Sequence, residues 1–270
     1  MKKNFFPYPL IFSLIIFLSS CSTLGPKEPT DAEINAQAAK AYVEVKSKAK
    51  ISNNKEWNDM VQRVAKRIAV SSGENFQWET VLIESPEVNA WCMPGGKIAV
   101  YTGIMPVLKT EAALAAVLGH EVAHATLRHG KQRYARAIKE NYAGLAIGAA
   151  SIIGGQLLCK NDTCKKITAL GGVAAAFAIT FFDRKFSRGD ESAADQEGQI
   201  YMARAGYDPA EAPRLWDRMS AASGGKAPPE FMSTHPSDAN RKAMLNEWMG
   251  NAESIYSKAP NKYGIGANIN

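Results

Sequence analysis

His120-Glu121-Val122-Ala123-His124 limits what this chain can fold into more than any other feature. The chain has four histidines, and three of them fall between Gly119 and Gly130. On a helix, residues four apart share one face, about 5–6 Å from each other. Two imidazoles so placed can hold one zinc ion at about 2.0–2.1 Å. Glu121 is rotated roughly 100° from His120, too far to join them easily as a ligand. It can still reach a water beside the metal, as a general base does. The stretch must therefore be a helix, and the rest of the fold must bring a further ligand to it. An HExxH string arises by chance on the order of once in a hundred chains, so it needs support from elsewhere.

That support lies downstream, in "SRGDESAAD". Ser187 with Asp190 forms a capping box that starts a second helix, running to about Ala205 and ending at Gly206. Glu191 stands on its first turn, with Asp195 one turn later. Glu191 is the candidate third ligand, leaving one coordination position open as a catalytic zinc requires. Asp195 is the candidate acceptor for the free ring N–H of a ligating histidine. His129, five residues after His124, would sit about 140° around an unbroken helix. It is expected to face away from the metal, as a cation near a helix C-terminus.

The 270 residues suit one well-buried domain, or one domain with an appendage, and 46% hydrophobic against 21% charged composition is globular. Lys2 and Lys3 precede the apolar run "FFPYPLIFSLIIFLSS", a secretory signal too short to span a bilayer. The run ends at "LSSC", which resembles the lipobox of bacterial lipoproteins. The resemblance implies removal of residues 1–20, acylation (palmitate included) of Cys21, and a tether over 21–30. The other reading is a plain signal peptide with an incidental cysteine. Ser22, where an aspartate would retain the protein at the inner membrane, implies the outer membrane. Losing two lysines and no acids takes the net charge from +6 to +4, too mild and scattered for a nucleic-acid partner. Cys159 and Cys164 bracket a polar turn. In an oxidising periplasm they are expected to pair as a disulfide, with free thiols or metal ligands as alternatives. Cys92 has apolar neighbours and reads as a buried, inert thiol.

Helices are expected over 31–49, opened by a Thr30–Glu33 capping box, and over 55–71, where Trp57, Val61, Val64 and Ile68 recur at helical spacing. "FQWETVLIE", "VNAWCM" and "KIAVYTGIM" read as strands, the last two joined at "PGG", so the sheet is small. A helix from Thr110 to about Arg128 carries the histidines. Residues 141–182 hold two stretches without charge, rich in alanine and glycine. Each would span about 25 Å as a helix, short of the ~30 Å hydrocarbon core. They read as a helical hairpin closed by the cysteine turn. It either packs on the domain or touches the membrane or a substrate. A helix after Pro209, one from about Ser237, and a disordered tail over 259–270 complete the reading.

HExxH followed by Ser-Arg-x-x-Glu-x-x-Ala-Asp resembles the HtpX and CAAX prenyl protease family of zinc metallopeptidases. "NAWCMPGGKIAVYTG" and "STHPSDANR" resemble that family's strand-turn-strand and late His-Pro segment. The likeness runs from about residue 55 to 248 and is closest to small bacterial lipoprotein members. It implies a gluzincin-like α+β fold, mostly helical with a small antiparallel or mixed sheet, as one domain over 31–258. It implies one zinc held by His120, His124 and Glu191, with Glu121 as base. His235 and Arg241 would lie near the cleft. His235 would be an oxyanion donor, an occupant of zinc's open position, or only a loop residue; Arg241 would be a donor or a partner of Glu191 or Asp195. A peptide is expected to add as a strand along Asn89, Ala90, Trp91, Cys92 and Met93. The activity implied is metalloendopeptidase action on unfolded or misassembled envelope polypeptides, from the periplasmic side of the outer membrane. The rival reading is a chaperone-like zinc lipoprotein that rarely cuts.

Overall fold

The computed structural model describes residues 28–147, 177, 181–182, 185–223, 231, 235 and 240–270. The signal segment, Cys21, the Cys159–Cys164 pairing and most of the 141–182 hairpin lie outside the described residues. Within them, the chain is a mostly helical α+β fold. Helices α1 (Asp31–Lys48) and α2 (Lys55–Ser72) lead into strands β1 (Glu79–Ile83), β2 (Ala90–Met93) and β3 (Lys97–Tyr101). A short helix α3 (Met105–Leu108) precedes α4 (Glu111–Thr126) and α5 (His129–Ile147). Then come α6 (Arg188–Arg204), α7 (Glu211–Ser223), α8 (Arg241–Glu247) and α9 (Met249–Ser257). No helix among the described residues is long and apolar enough to cross a membrane.

Both capping boxes form. Thr30 and Glu33 exchange hydrogen bonds at the start of α1, and Ser187 and Asp190 do so at the start of α6. The sheet is mixed, in the order β1-β3-β2, with β1 parallel and β2 antiparallel to β3. Its side chains alternate between two apolar layers. Leu82, Ala90, Cys92, Ile98 and Val100 face α2 and α4. Val81, Trp91, Met93, Ala99 and Tyr101 face α1 and the rings of Phe177, Phe181 and Phe182.

The third strand is shorter than its sequence suggests. After Tyr101 the chain turns through a 3-10 helix, Thr102–Ile104, into α3. Thr102 Oγ1 donates to the Ser85 carbonyl, and a Cβ at Gly103 would come within 2.3 Å of the Pro86 oxygen. That close backbone approach ends the ladder.

Helix α4 is buried on every side from Glu111 to Ala125, as the central helix of a domain must be. It is packed by α6, α2, β2 and α7. At its crossing with α6, Gly119 meets Gly198. A Cβ on either would approach the other helix's backbone to 2.6 Å. Two missing side chains thus let the axes approach closely where the histidines begin.

The tail expected to be disordered is folded. Backbone bonds run from Glu111 N–H to the Ala267 carbonyl, Ala112 N–H to Ile265, Ile269 N–H to Lys109, and Asp208 N–H to Gly264. The Glu111 carboxylate anchors it, accepting from Arg63, Arg67, the Tyr207 hydroxyl and the Ala267 N–H. Main-chain pairing of this kind leaves no side-chain pattern in the sequence.

Candidate active site

Ligand atoms of His120, His124, Glu191 and His235 lie within 4.8 Å of one another, and all four residues are buried. His120 and His124 project from one face of α4. Glu191 comes from the first turn of α6, and His235 from beyond α7. His120 Nε2 is 3.0 Å from His124 Nε2, 3.4 Å from Glu191 Oε2 and 3.2 Å from His235 Nδ1. His124 Nε2 is 3.5 Å from Glu191 Oε1, and His235 Nδ1 is 3.0 Å from the same oxygen. Four donors around a tetrahedral zinc with bonds near 2.05 Å stand about 3.3 Å apart. The five separations given, 3.0 to 3.5 Å, are close to that value, and two imidazoles, a carboxylate and a third imidazole form a donor set that zinc favours. The residues present therefore fit the metal.

The supporting contacts are equally specific. Asp195 Oδ1 lies 2.9 Å from His120 Nδ1, the outer contact expected of it. Arg241, 3% exposed, donates from Nε and Nη2 to the two Asp195 oxygens at 2.6 Å each. Its Nη1 lies 2.9 Å from Glu191 Oε2, and its guanidinium stacks on Trp216 at 3.9 Å. Arg241 thus pairs with both carboxylates, hydrogen-bonding Asp195, while its Nη1 is buried without a hydrogen-bond partner.

Electrostatics follow from this geometry. Burial would lower the His120 imidazole, but the hydrogen bonds to Asp195 and Glu191 outweigh it and raise it to about 9. Burial pushes His124 well below the ordinary histidine value. Burial also opposes ionisation of Glu191, yet His235, His120 and His124 hold it below the usual carboxylate range. Glu121 goes the other way, with burial raising it. Its Oε1 is buried with no hydrogen-bond partner and lies 3.3 Å from His235 Nε2.

β2 is an edge strand among the described residues. Asn89, Ala90, Trp91, Cys92 and Met93 are all buried. Trp91 packs edge-on against Tyr42 and Phe182. Cys92 is a free buried thiol, pushed up by burial.

Two residues escaped the sequence reading. Phe186 stacks on the His124 ring at 3.8 Å and on His235 at 5.3 Å, with the Arg133 guanidinium 3.8 Å over it. An aromatic residue just before an N-cap was the available signal. His129 does not face away: its Nδ1 is 2.9 Å from His124 Nδ1. The helix ends at Thr126, so the 140° rotation does not apply. His129 opens α5 instead of closing α4, and burial lowers its pKa.

A central helix with HExxH, a glutamate from a second helix and a small sheet alongside define a gluzincin-like metal site. A model of peptidase family M48 matches residues 52–249, and the chain belongs to that family. It is similar to the mitochondrial metalloendopeptidase OMA1 of Schizosaccharomyces pombe, 39% identical over 199 residues, covering 72% of this chain and 53% of the relative. The OMA1 of Arabidopsis thaliana is 36% identical over 177 residues, 66% of this chain and 33% of the relative. The beta-barrel assembly-enhancing protease of Escherichia coli (strain K12) is 28% identical over 163 residues, 60% of this chain and 32% of the relative. The chain thus spans about half or less of the length of these relatives.

Proposed function

We propose that this chain is a zinc-dependent metalloendopeptidase, lipid-anchored through Cys21 on the periplasmic side of the outer membrane. Its substrates are unfolded or misassembled envelope polypeptides. One observation carries the reading: the Glu121 carboxylate, buried with an unpartnered oxygen, stands beside a four-residue cluster spaced for zinc. The E. coli relative, a beta-barrel assembly-enhancing protease, and the OMA1 relatives, metalloendopeptidases, support it. The strand-turn-strand and the late His-Pro segment support a place among small lipoprotein members related to HtpX and the CAAX prenyl proteases.

His120, His124 and Glu191 would hold the metal. Zinc there supplies Lewis-acid polarisation of a carbonyl and makes a water easier to deprotonate. Glu121 Oε1 takes the proton of the attacking water and hands it to the leaving amine. Burial raises its pKa above the ordinary glutamate value, the direction that favours holding the proton between the two transfers. Asp195 and Arg241 keep His120 and Glu191 in place. The substrate lies along β2 as an added strand, read by its main chain and so with little sequence preference. In the described conformation His235 Nδ1 lies 3.2 Å from His120 Nε2 and 3.0 Å from Glu191 Oε1, where it would be a further donor to the metal, and the side chains of β2 are buried. His235 and the rings over Trp91 must therefore move aside for cutting, and His235 is then free to steady the oxyanion.

The same covering favours the second reading, a zinc lipoprotein that assists assembly and rarely cuts. The test is casein hydrolysis by the purified zinc-loaded chain against Glu121→Gln. Cleavage by the wild type, falling at least 100-fold in the variant at equal zinc content, supports the peptidase. No cleavage by either, with zinc bound, supports the second reading.

A further inference from the structure

We infer that His129 is a positioning residue, the partner that fixes His124 in the tautomer offering Nε2 to the metal. The inference rests on the reading of His120, His124 and Glu191 as ligands. It comes from the inequality of the two ring nitrogens. His124 Nε2 faces the cluster, 3.0 Å from His120 Nε2. Its Nδ1 points the opposite way and, among the described residues, has its hydrogen-bond contact with His129 Nδ1 at 2.9 Å. With Nε2 given to a metal, the His124 proton must sit on Nδ1, so His124 donates and His129 Nδ1 accepts. The His129 proton is then on Nε2, which faces Asp190 Oδ1 at 3.9 Å. The His124–His129 contact parallels that of His120 with Asp195, with a neutral ring in place of the carboxylate; Asp190 lies further out, beyond hydrogen-bond reach of His129.

The backbone is built to deliver this contact. Arg128 adopts a left-handed conformation, φ 62°, which a residue with a Cβ rarely takes. That single residue turns the chain at the end of α4 and brings His129 back beneath His124. The conformation is held by the Arg128 side chain, which donates to Asp31 Oδ2 at 3.0 Å, to Glu74 Oε1 at 2.6 Å and to the Thr126 carbonyl. Its guanidinium also lies over the Phe76 ring. Strain of this kind persists only where surrounding contacts over-determine it.

The experiment measures zinc affinity of the full chain by chelator competition, for wild type, His129→Phe and His129→Asn. The asparagine oxygen occupies nearly the place of Nδ1 and can accept; phenylalanine keeps the ring and cannot. The expected result is zinc binding weaker by on the order of 10- to 100-fold in His129→Phe and within a few fold of wild type in His129→Asn. A mere packing role predicts the reverse order, with phenylalanine the milder change. Equal affinity in all three, or asparagine as weak as phenylalanine, would overturn the inference while leaving the zinc site intact. A wild type that takes up no zinc would overturn it together with the reading beneath it. Should His129→Phe fail to fold, nitrogen-15 spectra of the zinc-loaded wild type decide, because only four histidines contribute. A proton on His124 Nδ1 with a nitrogen–nitrogen coupling to His129 Nδ1 supports the assignment; a metal-bound His124 without that coupling sinks it.

Discussion

Arg241 makes the sharpest residue-scale case. Its guanidinium compensates two buried carboxylates at once, Asp195 and Glu191. Removing one partner of a buried charge cluster costs about 3–5 kcal/mol, because the others remain buried and uncompensated. Arg241→Met is therefore expected to lower the stability of the zinc-free chain by about that much, read from urea unfolding. Asp195→Ala should instead weaken zinc binding roughly 10- to 100-fold, since it frees the His120 ring. The meeting of His120, His124 and Glu191 was legible because helical spacing forces two histidines together and a capping box fixes where Glu191 begins its helix. The place of His129 was not, because the left-handed Arg128 carries no residue-type signature; glycine or asparagine would have announced it.

Among the elements, the α4–α6 crossing positions the site, since it brings Glu191 to the histidines. Gly198→Ala would drive a Cβ to 2.6 Å from the His120 nitrogen, a backbone atom that cannot yield. We expect it to cost about 3 kcal/mol or more and to weaken zinc binding, both measured on the purified variant. Gly250→Ala on α9 is the control, with nothing within 4 Å of the added methyl. It should be neutral or stabilise by up to ~1 kcal/mol, as alanine does in a helix. The helices themselves were legible from caps and periodicity, and the strands from composition. What sequence could not supply was the glycine pair, because each glycine lies in an ordinary helical pattern, and only their meeting across space gives them meaning.

At the scale of the whole molecule, Glu111 ties α2, α4 and the tail into one unit. Burial opposes its ionisation, but Arg63, Tyr207 and the Ala267 N–H outweigh this and hold its pKa below the ordinary carboxylate value. A carboxyl depressed in the folded state stabilises fully above its unfolded pKa, about 4.3, and loses that contribution as pH falls through the folded value. The melting temperature of the chain should thus fall below about pH 4.5, and Glu111→Gln should flatten that fall. At neutral pH the same variant should lose about 2–4 kcal/mol, moderated because Arg63 is partly exposed and screened. The tail's fold was hidden in the sequence because its hold is through main-chain atoms. That clasp also has a consequence in time. Residues 264–269 pin the first turn of the helix bearing His120 and His124, and Arg241 braces Glu191. A nascent chain emerging from its N-terminal side has all of these still to come when its histidines appear. The contacts that hold the His120, His124 and Glu191 cluster in place therefore form only after residues 241–269 have followed the histidines out.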